Sequence, residues 1–295
     1  MKIRFAFSLG TMAPEPDALV AAADGAETAG FDSLWFSDLP VLASVDPQLA
    51  VAFTAAHSRR LHLGVNVVPF GVQPYVLARQ LAQLDRLAGG RLLVTLVPGL
   101  DTPGERSALG TIGVHRGRRM DAVLPALRRW WAGEAMADPV TGGDETVLAV
   151  LPVQQPLEVW LGGQGPEAIR RAGQLADGWL GSLVAPAEAG RIRRAIEQEA
   201  AASGRHIDPE HFGLSVAYAR TEDQRAAASA AVRRRRPGAD TARLVPVGAD
   251  ALRSLLGQLV DEGLSKFVLR PLTTAGATVV DEITWLADAV LDLQT

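Results

Sequence analysis

From residue 3 to residue 293 short apolar runs alternate with longer Ala- and Leu-rich runs of helical period, and they do so eight times. The runs Ile3–Leu9, Ser33–Ser37, Leu61–Val68, Arg91–Val97, Leu157–Leu161, Gly178–Leu183, Phe212–Tyr218 and Lys266–Arg270 read as strands. Between and after them Pro16–Ala29, Asp46–Arg59, Pro74–Leu87, Arg116–Trp131, Pro166–Leu175, Ala187–Ala202, Asp250–Asp261 and Val280–Leu293 read as helices. The strands lack strict apolar/polar alternation, so both faces are expected to be buried, as in a parallel sheet covered by helices. Eight such units predict one α/β domain over residues 1–295, a single (β/α)8 TIM barrel, a fold that needs ~250 residues. An open doubly wound sheet is the competing architecture. It would want a Gly-rich phosphate turn after the first strand, and SLGTMAPEPD (8–17) is not one.

Two connections are longer than the fold requires. In residues 134–156 the stretch VLAVLP is expected to form a small hairpin arm. Residues 219–248 are expected to hold a short Ala/Arg helix ending in Arg233–Arg236.

Composition narrows the function classes. A net charge of −4 gives no electrostatic reason to expect a nucleic-acid partner. The chain has no cysteine, which excludes disulfides, thiolate zinc sites and a cysteine nucleophile. No run approaches ~20 apolar residues, and MKIRFAFSLG is too short for a signal sequence. A cytoplasmic protein without membrane contact is the expectation.

In a barrel of this kind chemistry sits at the C-terminal ends of the strands. Those ends carry Ser8, Ser37 and Asp38, Asn66 and Val67, Pro98 and Gly99, Gly162 to Gly165, Ser182, Tyr218 and Arg270. His57, His62, His206 and His211 fall on the opposite rim. His115 alone is near the mouth, where it reads as a helix-start residue rather than a general acid. No HExxH, EF-hand, Walker or GxSxG motif occurs, and no set of metal ligands falls at the strand ends, so no metal is expected. Glycoside hydrolysis would need two facing carboxylates; Asp38 sits at a strand end, with Asp101 and Glu105 in a later loop. Asp38 could equally cap a loop. The segment LGGQGPEAIRRA (161–172) runs from strand into helix, with Pro166 at a first helical position. Its bare amides suit a phosphate at a helix N-terminus, or they are simply a tight turn that needs glycine.

Several segments resemble the luciferase-like monooxygenase family, and within it the branch that uses the deazaflavin coenzyme F420. These are AGFDSLWFSD (29–38), LGVNVVPFGVQPYVLARQLAQLDRLAGGRLLVTLVPG (63–99), HRGRRMDAVLPALRRWWAGE (115–134), VWLGGQGPEAIRRAGQLADGWL (159–180) and GLSKFVLRPL (263–272). The resemblance implies hydride transfer between a deazaflavin and a small-molecule substrate at the barrel mouth, in a homodimer. It implies a catalytic, ring-facing role for Asp38. It also implies a cis peptide at Asn66–Val67 behind the ring, and a phosphate cradle made by Gly162, Gly163, Gln164, Gly165 and Pro166. Leu39 stands where many deazaflavin members carry histidine, and VPGLDT lacks both the Thr-Gly-Glu found in some deazaflavin members and the arginine that grips flavin phosphate in some FMN members. A two-component FMN monooxygenase and a cofactor-free binding protein are the alternatives. Arg233–Arg236 reads either as solvated surface or as a clamp for the acidic tail of the coenzyme.

Overall fold

Eight parallel strands close into a barrel, and the helices between them form the outer layer. The computed structural model describes residues 1–10, 15–42, 44–272 and 277–295; part of the first connection therefore lies outside the described residues. In chain order the elements are β1 (Arg4–Ser8), α1 (Pro16–Ala29), β2 (Ser33–Ser37), α2 (Pro47–Ala55), β3 (His62–Val67), α3 (Pro74–Leu87), β4 (Leu92–Leu96), α4 (Pro103–Ala108) and α5 (Arg116–Trp131). A hairpin of β5 (Met136–Asp138) and β6 (Gly142–Thr146) follows, then β7 (Val159–Leu161), α6 (Pro166–Leu175), β8 (Gly178–Ser182), α7 (Pro186–Ala202) and β9 (Phe212–Tyr218). The chain continues with α8 (Glu222–Arg235), α9 (Thr241–Leu244), α10 (Ala249–Asp261), β10 (Lys266–Pro271) and α11 (Val279–Val290). Around the barrel the strands run β1, β10, β9, β8, β7, β4, β3, β2.

The helix starts have a local cause. Helices α1, α2, α3, α6 and α7 begin on proline, whose fixed φ suits the first helical position and whose missing N–H has no intrahelical partner to lose. Helix α2 is shorter than the expected Asp46–Arg59. Asp46 is its cap, accepting from the Gln48 and Leu49 amides, and the chain beyond Ala55 turns toward α1. There the Glu27 carboxylate accepts from the amides of Arg59, Arg60 and Leu61, a tertiary capping that no local pattern displays.

The hairpin arm is displaced from its expected position. It is built from residues 136–146, with the Asp138 carboxylate accepting from Val140 and Thr141 at the turn, and VLAVLP follows it. The arm's far end is anchored by buried Asp85 of α3, which accepts from the Val153 and Gln154 amides and from Gln154 Nε2.

Strand register sorts the side chains. Because alternate residues face opposite sides of a strand, the pairs Ala6–Val268, Trp35–Gly64, Asn66–Thr95, Thr95–Trp160, Ser182–Ser215 and Ala217–Arg270 mark one common, inward face. Midway along the axis Ala6, Trp35, Leu93, Trp160, Leu180 and Val268 plug the barrel. Below them a cavity of about 180 Å³ faces the N-terminal rim, with Arg4, Asp32, His62, Glu158, His211 and Lys266 in its wall. Above them, toward the C-terminal mouth, the same face becomes polar: Ser8, Ser37, Asn66, Thr95, Ser182, Ser215 and Arg270. A layer of apolar side chains outside the strands forms the main core with the helices.

The connection 219–248 folds over one side of that mouth. Ala228 and Val232 of α8, Leu244 of α9, and Val245 form a separate buried cluster with Ala219, against which Leu183, Ala185 and Leu272 pack.

Candidate active site at the barrel mouth

Asp38 lies just beyond the end of β2. Its amide donates to the Asn66 carbonyl at 2.8 Å, and its carboxylate accepts from the Val68 amide at 3.1 Å. Half-buried, the carboxyl is pushed up to about 6 by loss of hydration. The Val68 hydrogen bond opposes that shift, and the negative charges of Asp46 and Glu105 add to it. The capping reading of Asp38 is thus partly right, but it accounts for one hydrogen bond and leaves a group that titrates near neutrality.

Beside it, Asn66 Nδ2 donates to Ser37 Oγ at 2.9 Å. Asn66 Oδ1 and Thr95 Oγ1, neighbours in the ladder, are buried without a hydrogen-bond partner among the described residues. Buried polar atoms left unpaired in this way are costly, so two on adjacent strands mark a place built to meet something polar.

Val67 differs from expectation. Its side chain belongs to the outer core, and only its backbone edges the mouth. The Asn66–Val67 peptide is trans; the cis bond among the described residues is Gln155–Pro156. Asn66 and Val67 sit in unbroken register with Thr95 and Leu96, and the Val67 carbonyl accepts from Val97 at 2.9 Å. A cis bond, itself costing ~3 kcal/mol, would break that ladder.

The glycine turn after β7 is anchored at both sides. Gly162 donates to the Leu96 carbonyl at 3.0 Å, and Trp179 Nε1 donates to the Gly163 carbonyl at 2.8 Å. Gly163 has φ +110°, and a Cβ there would come 2.8 Å from Ala168 Cβ. Gly165 is different: its φ is −75° and a Cβ would meet nothing within 4 Å, so backbone strain does not explain it. As the cap of α6 it supplies no side-chain acceptor, and Gln164, Gly165 and Pro166 are exposed. Pro166 has no N–H and the Ala168 amide donates to the Gly165 carbonyl at 2.9 Å, so within the first turn of α6 it is the Glu167 amide that is left to an anion, with the positive end of the helix dipole behind it.

A buried ion pair braces the loop after β4, and the sequence reading did not find it. Glu105 is fully buried and accepts from the amides of Leu100 and Asp101 at 3.0 Å and from Arg116 Nη1 at 2.8 Å. Arg116 also donates to the Pro98 carbonyl at 2.7 Å and lies over the Phe70 ring. Gly99, with φ +78°, makes room, since a Cβ would sit 2.4 Å from Glu105 Oε1. The signal available was Thr102, whose hydroxyl caps α4 by accepting from the Glu105 amide. Glu105 and Asp101, which is paired with Arg106, are committed to neighbours, so the two-carboxylate hydrolase reading loses its second carboxylate.

His115 is exposed and accepts from the Arg118 amide as the cap of α5, the helix-start role expected of it. Tyr218 turns away from the mouth: its hydroxyl donates to Glu282 and its ring stacks on Trp285 of α11. The four arginines do not act as a block. Arg236 pairs with Glu188, Arg233 reaches Thr241, and Arg233 and Arg234 are exposed.

Known proteins resemble this chain in sequence and in fold. The profile of the luciferase-like monooxygenase family matches residues 1–258. A Mycobacterium tuberculosis protein named as a coenzyme F420-dependent oxidoreductase is 28% identical over 243 residues, 76% of this chain and 67% of the relative. The F420-dependent hydroxymycolic acid dehydrogenase of the same organism is 30% identical over 230 residues, 73% of this chain and 62% of that protein. Among solved structures, an F420-dependent secondary alcohol dehydrogenase bound to an F420–acetone adduct superposes over 100% of both chains with a TM-score of 0.81 at 16% identity, a likeness of fold. Among the described residues, no helix is long and apolar enough to cross a membrane.

Proposed function

Because this chain belongs to the luciferase-like monooxygenase family, we propose that it is an oxidoreductase using the deazaflavin coenzyme F420 on a small organic substrate at the barrel mouth. The observation that carries the reading is the pairing of Asp38, a half-buried carboxyl near neutrality, with the unpartnered Asn66 Oδ1 and Thr95 Oγ1 on the next two strands. These groups fit the polar edge of a deazaflavin ring, and the Gly162–Pro166 turn at α6 fits its phosphate. When bound, the coenzyme supplies a carbon that gives or takes a hydride. The chain's own contribution is positioning and proton control. Asp38, protonated below about pH 6 and ionised above it, can hold or release one proton at the mouth. Leu39 beside it is buried and apolar and offers no second proton group. That pattern favours reduction of an activated C=C or C=N bond over oxidation of a sugar alcohol.

The preference for deazaflavin over FMN rests on the loop after β4. Arg106 and Arg116 are held by Asp101, Glu105 and the Pro98 carbonyl, which leaves neither free to grip a flavin phosphate, and the exposed Arg118 in the wall of the same cleft lies on α5 rather than in the loop. The name of the family favours a second reading, a two-component FMN monooxygenase. Fluorescence titration of the purified chain with each cofactor separates them: at least tenfold tighter binding of the deazaflavin, about 1.4 kcal/mol, is expected, and tighter FMN binding moves the assignment to the monooxygenase.

A further inference from the structure

On the reading above, the coenzyme takes the arc of the mouth from β2 and β3, through β4, to β7. The remaining arc, β8, β9, β10 and β1, is then left for the substrate. Its inward polar groups are Ser182, Ser215, Ser8 and, at the rim, Arg270. Arg270 is 8% exposed, and its stem packs where a Cβ on Gly10 would stand, 3.1 Å from its Cγ. Above it runs α8. Ala228 and Val232 pack down onto the strand ends, and Arg235, three residues after Val232, continues the same helix face. Arg235 is accordingly half-buried, whereas Arg233 and Arg234 stay in solvent.

The described residues include every Asp and Glu of the chain. None of those carboxylates comes within 4 Å of Arg270 or Arg235, although most other arginines of the fold have such a partner. Burial and the neighbouring Arg235 cation pull Arg270 down to about 9, so it is still charged at neutral pH. A buried cation with a half-buried one beside it and no counter-ion destabilises a fold unless an anion is brought to them.

We propose that Arg270 and Arg235 form the oxyanion site of the substrate pocket, and that the substrate carries a carboxylate or phosphate group which these two guanidinium groups bind. Their planar donor forks match either oxyanion, with the Ser182 and Ser215 hydroxyls on the adjoining inward face. The proposal rests on the cofactor placement given above only for its division of the mouth.

The test is calorimetric titration of the full chain with inorganic phosphate and with acetate, in wild type, Arg270→Gln and Arg235→Gln, alongside deazaflavin titration of the same proteins. Saturable binding of phosphate is expected in wild type, at least tenfold weaker in Arg270→Gln and at least threefold weaker in Arg235→Gln. Acetate tells whether one carboxylate suffices. Both variants should bind deazaflavin within twofold of wild type, and Arg270→Gln should melt no lower than wild type, since it removes an unpaired buried charge. Should Arg270→Gln melt early, Arg235→Gln at its helix end and Arg270→Lys carry the comparison. Absence of saturable phosphate binding in wild type, or equal phosphate affinity in all three proteins, overturns the site. A parallel tenfold loss of deazaflavin affinity overturns it too, by assigning the cations to the coenzyme's own phosphate and carboxylates. Wild type that binds phosphate through Arg270 but neither deazaflavin nor FMN would sink the proposed function and leave the oxyanion site standing.

Discussion

Two glycines two residues apart separate a structural role for the turn after β7 from a ligand-binding one. At Gly163 an alanine must adopt φ near +110°, which L residues avoid, and its Cβ would press to 2.8 Å from Ala168 Cβ, well inside van der Waals contact. Such a backbone conformation costs a non-glycine residue about 1–3 kcal/mol, and the steric overlap places Gly163→Ala at the upper end, about 2–3 kcal/mol. Unfolding entropy near 60 °C is roughly 2 cal/mol/K per residue, so a chain of 295 residues should lose about 3–5 °C in Tm. At Gly165 the backbone is already extended and the added methyl meets open space. Gly165→Ala should therefore melt within about 1 °C of wild type, or slightly above it, because alanine also restricts the unfolded chain. The same methyl projects into the open space outside the unpaired amides at the start of α6. If they hold the coenzyme phosphate, deazaflavin affinity should fall about tenfold in Gly165→Ala while its stability does not. Calorimetric melting and fluorescence titration of both variants complete the assay. A Gly165→Ala protein that binds deazaflavin like wild type would refute the cradle, and a Gly163→Ala protein that melts like wild type would refute the strain argument.

Glu105→Gln leaves the nearly buried Arg116 guanidinium with only the more exposed Asp101 carboxylate, 3.5 Å from its Nε, and urea unfolding should show a loss of about 3 kcal/mol. Asp85→Asn weakens three hydrogen bonds that anchor the arm's far end; a loss of about 1–3 kcal/mol and faster proteolysis within residues 134–156 are expected, and unchanged cleavage would contradict the anchoring. Asp38 has a raised carboxyl, so the folded chain keeps a proton that the unfolded chain has released between about pH 4 and pH 6. Its contribution is fully present below that window and is lost as pH rises through about 6, so Asp38→Asn should gain stability relative to wild type across it and hold a constant difference above. A stability difference that does not change with pH would count against the raised carboxyl. In the loaded enzyme the same variant should lose the limb of the pH–rate profile near 6.

The order of elements was legible because it is local. Apolar period, helix-starting prolines and glycine stops lie within a few residues of what they determine, and Pro16–Ala29, Pro74–Leu87, Arg116–Trp131 and Pro166–Leu175 stand in the structure as read. Closure into a barrel followed from the count of eight. The rim that carries the candidate site was legible too, since parallel topology sends every strand end to one rim, and Asp38, Asn66 and the glycine turn lie on it. What the sequence alone could not supply were facts that depend on which partner arrives from a distant segment. The turn before β3 is capped by Glu27, some thirty residues back, and the arm ends on Asp85, nearly seventy residues away. Tyr218 and Arg270 both end strands, yet strand register and α11 turn one outward while the barrel axis receives the other. Arg235 is singled out from three like neighbours only by the helix face that packs on the mouth. Composition and period determined how many units this chain folds into, because those forces act along the chain; the tertiary structure alone decided which charges are paired and which are left waiting, because pairing acts across it.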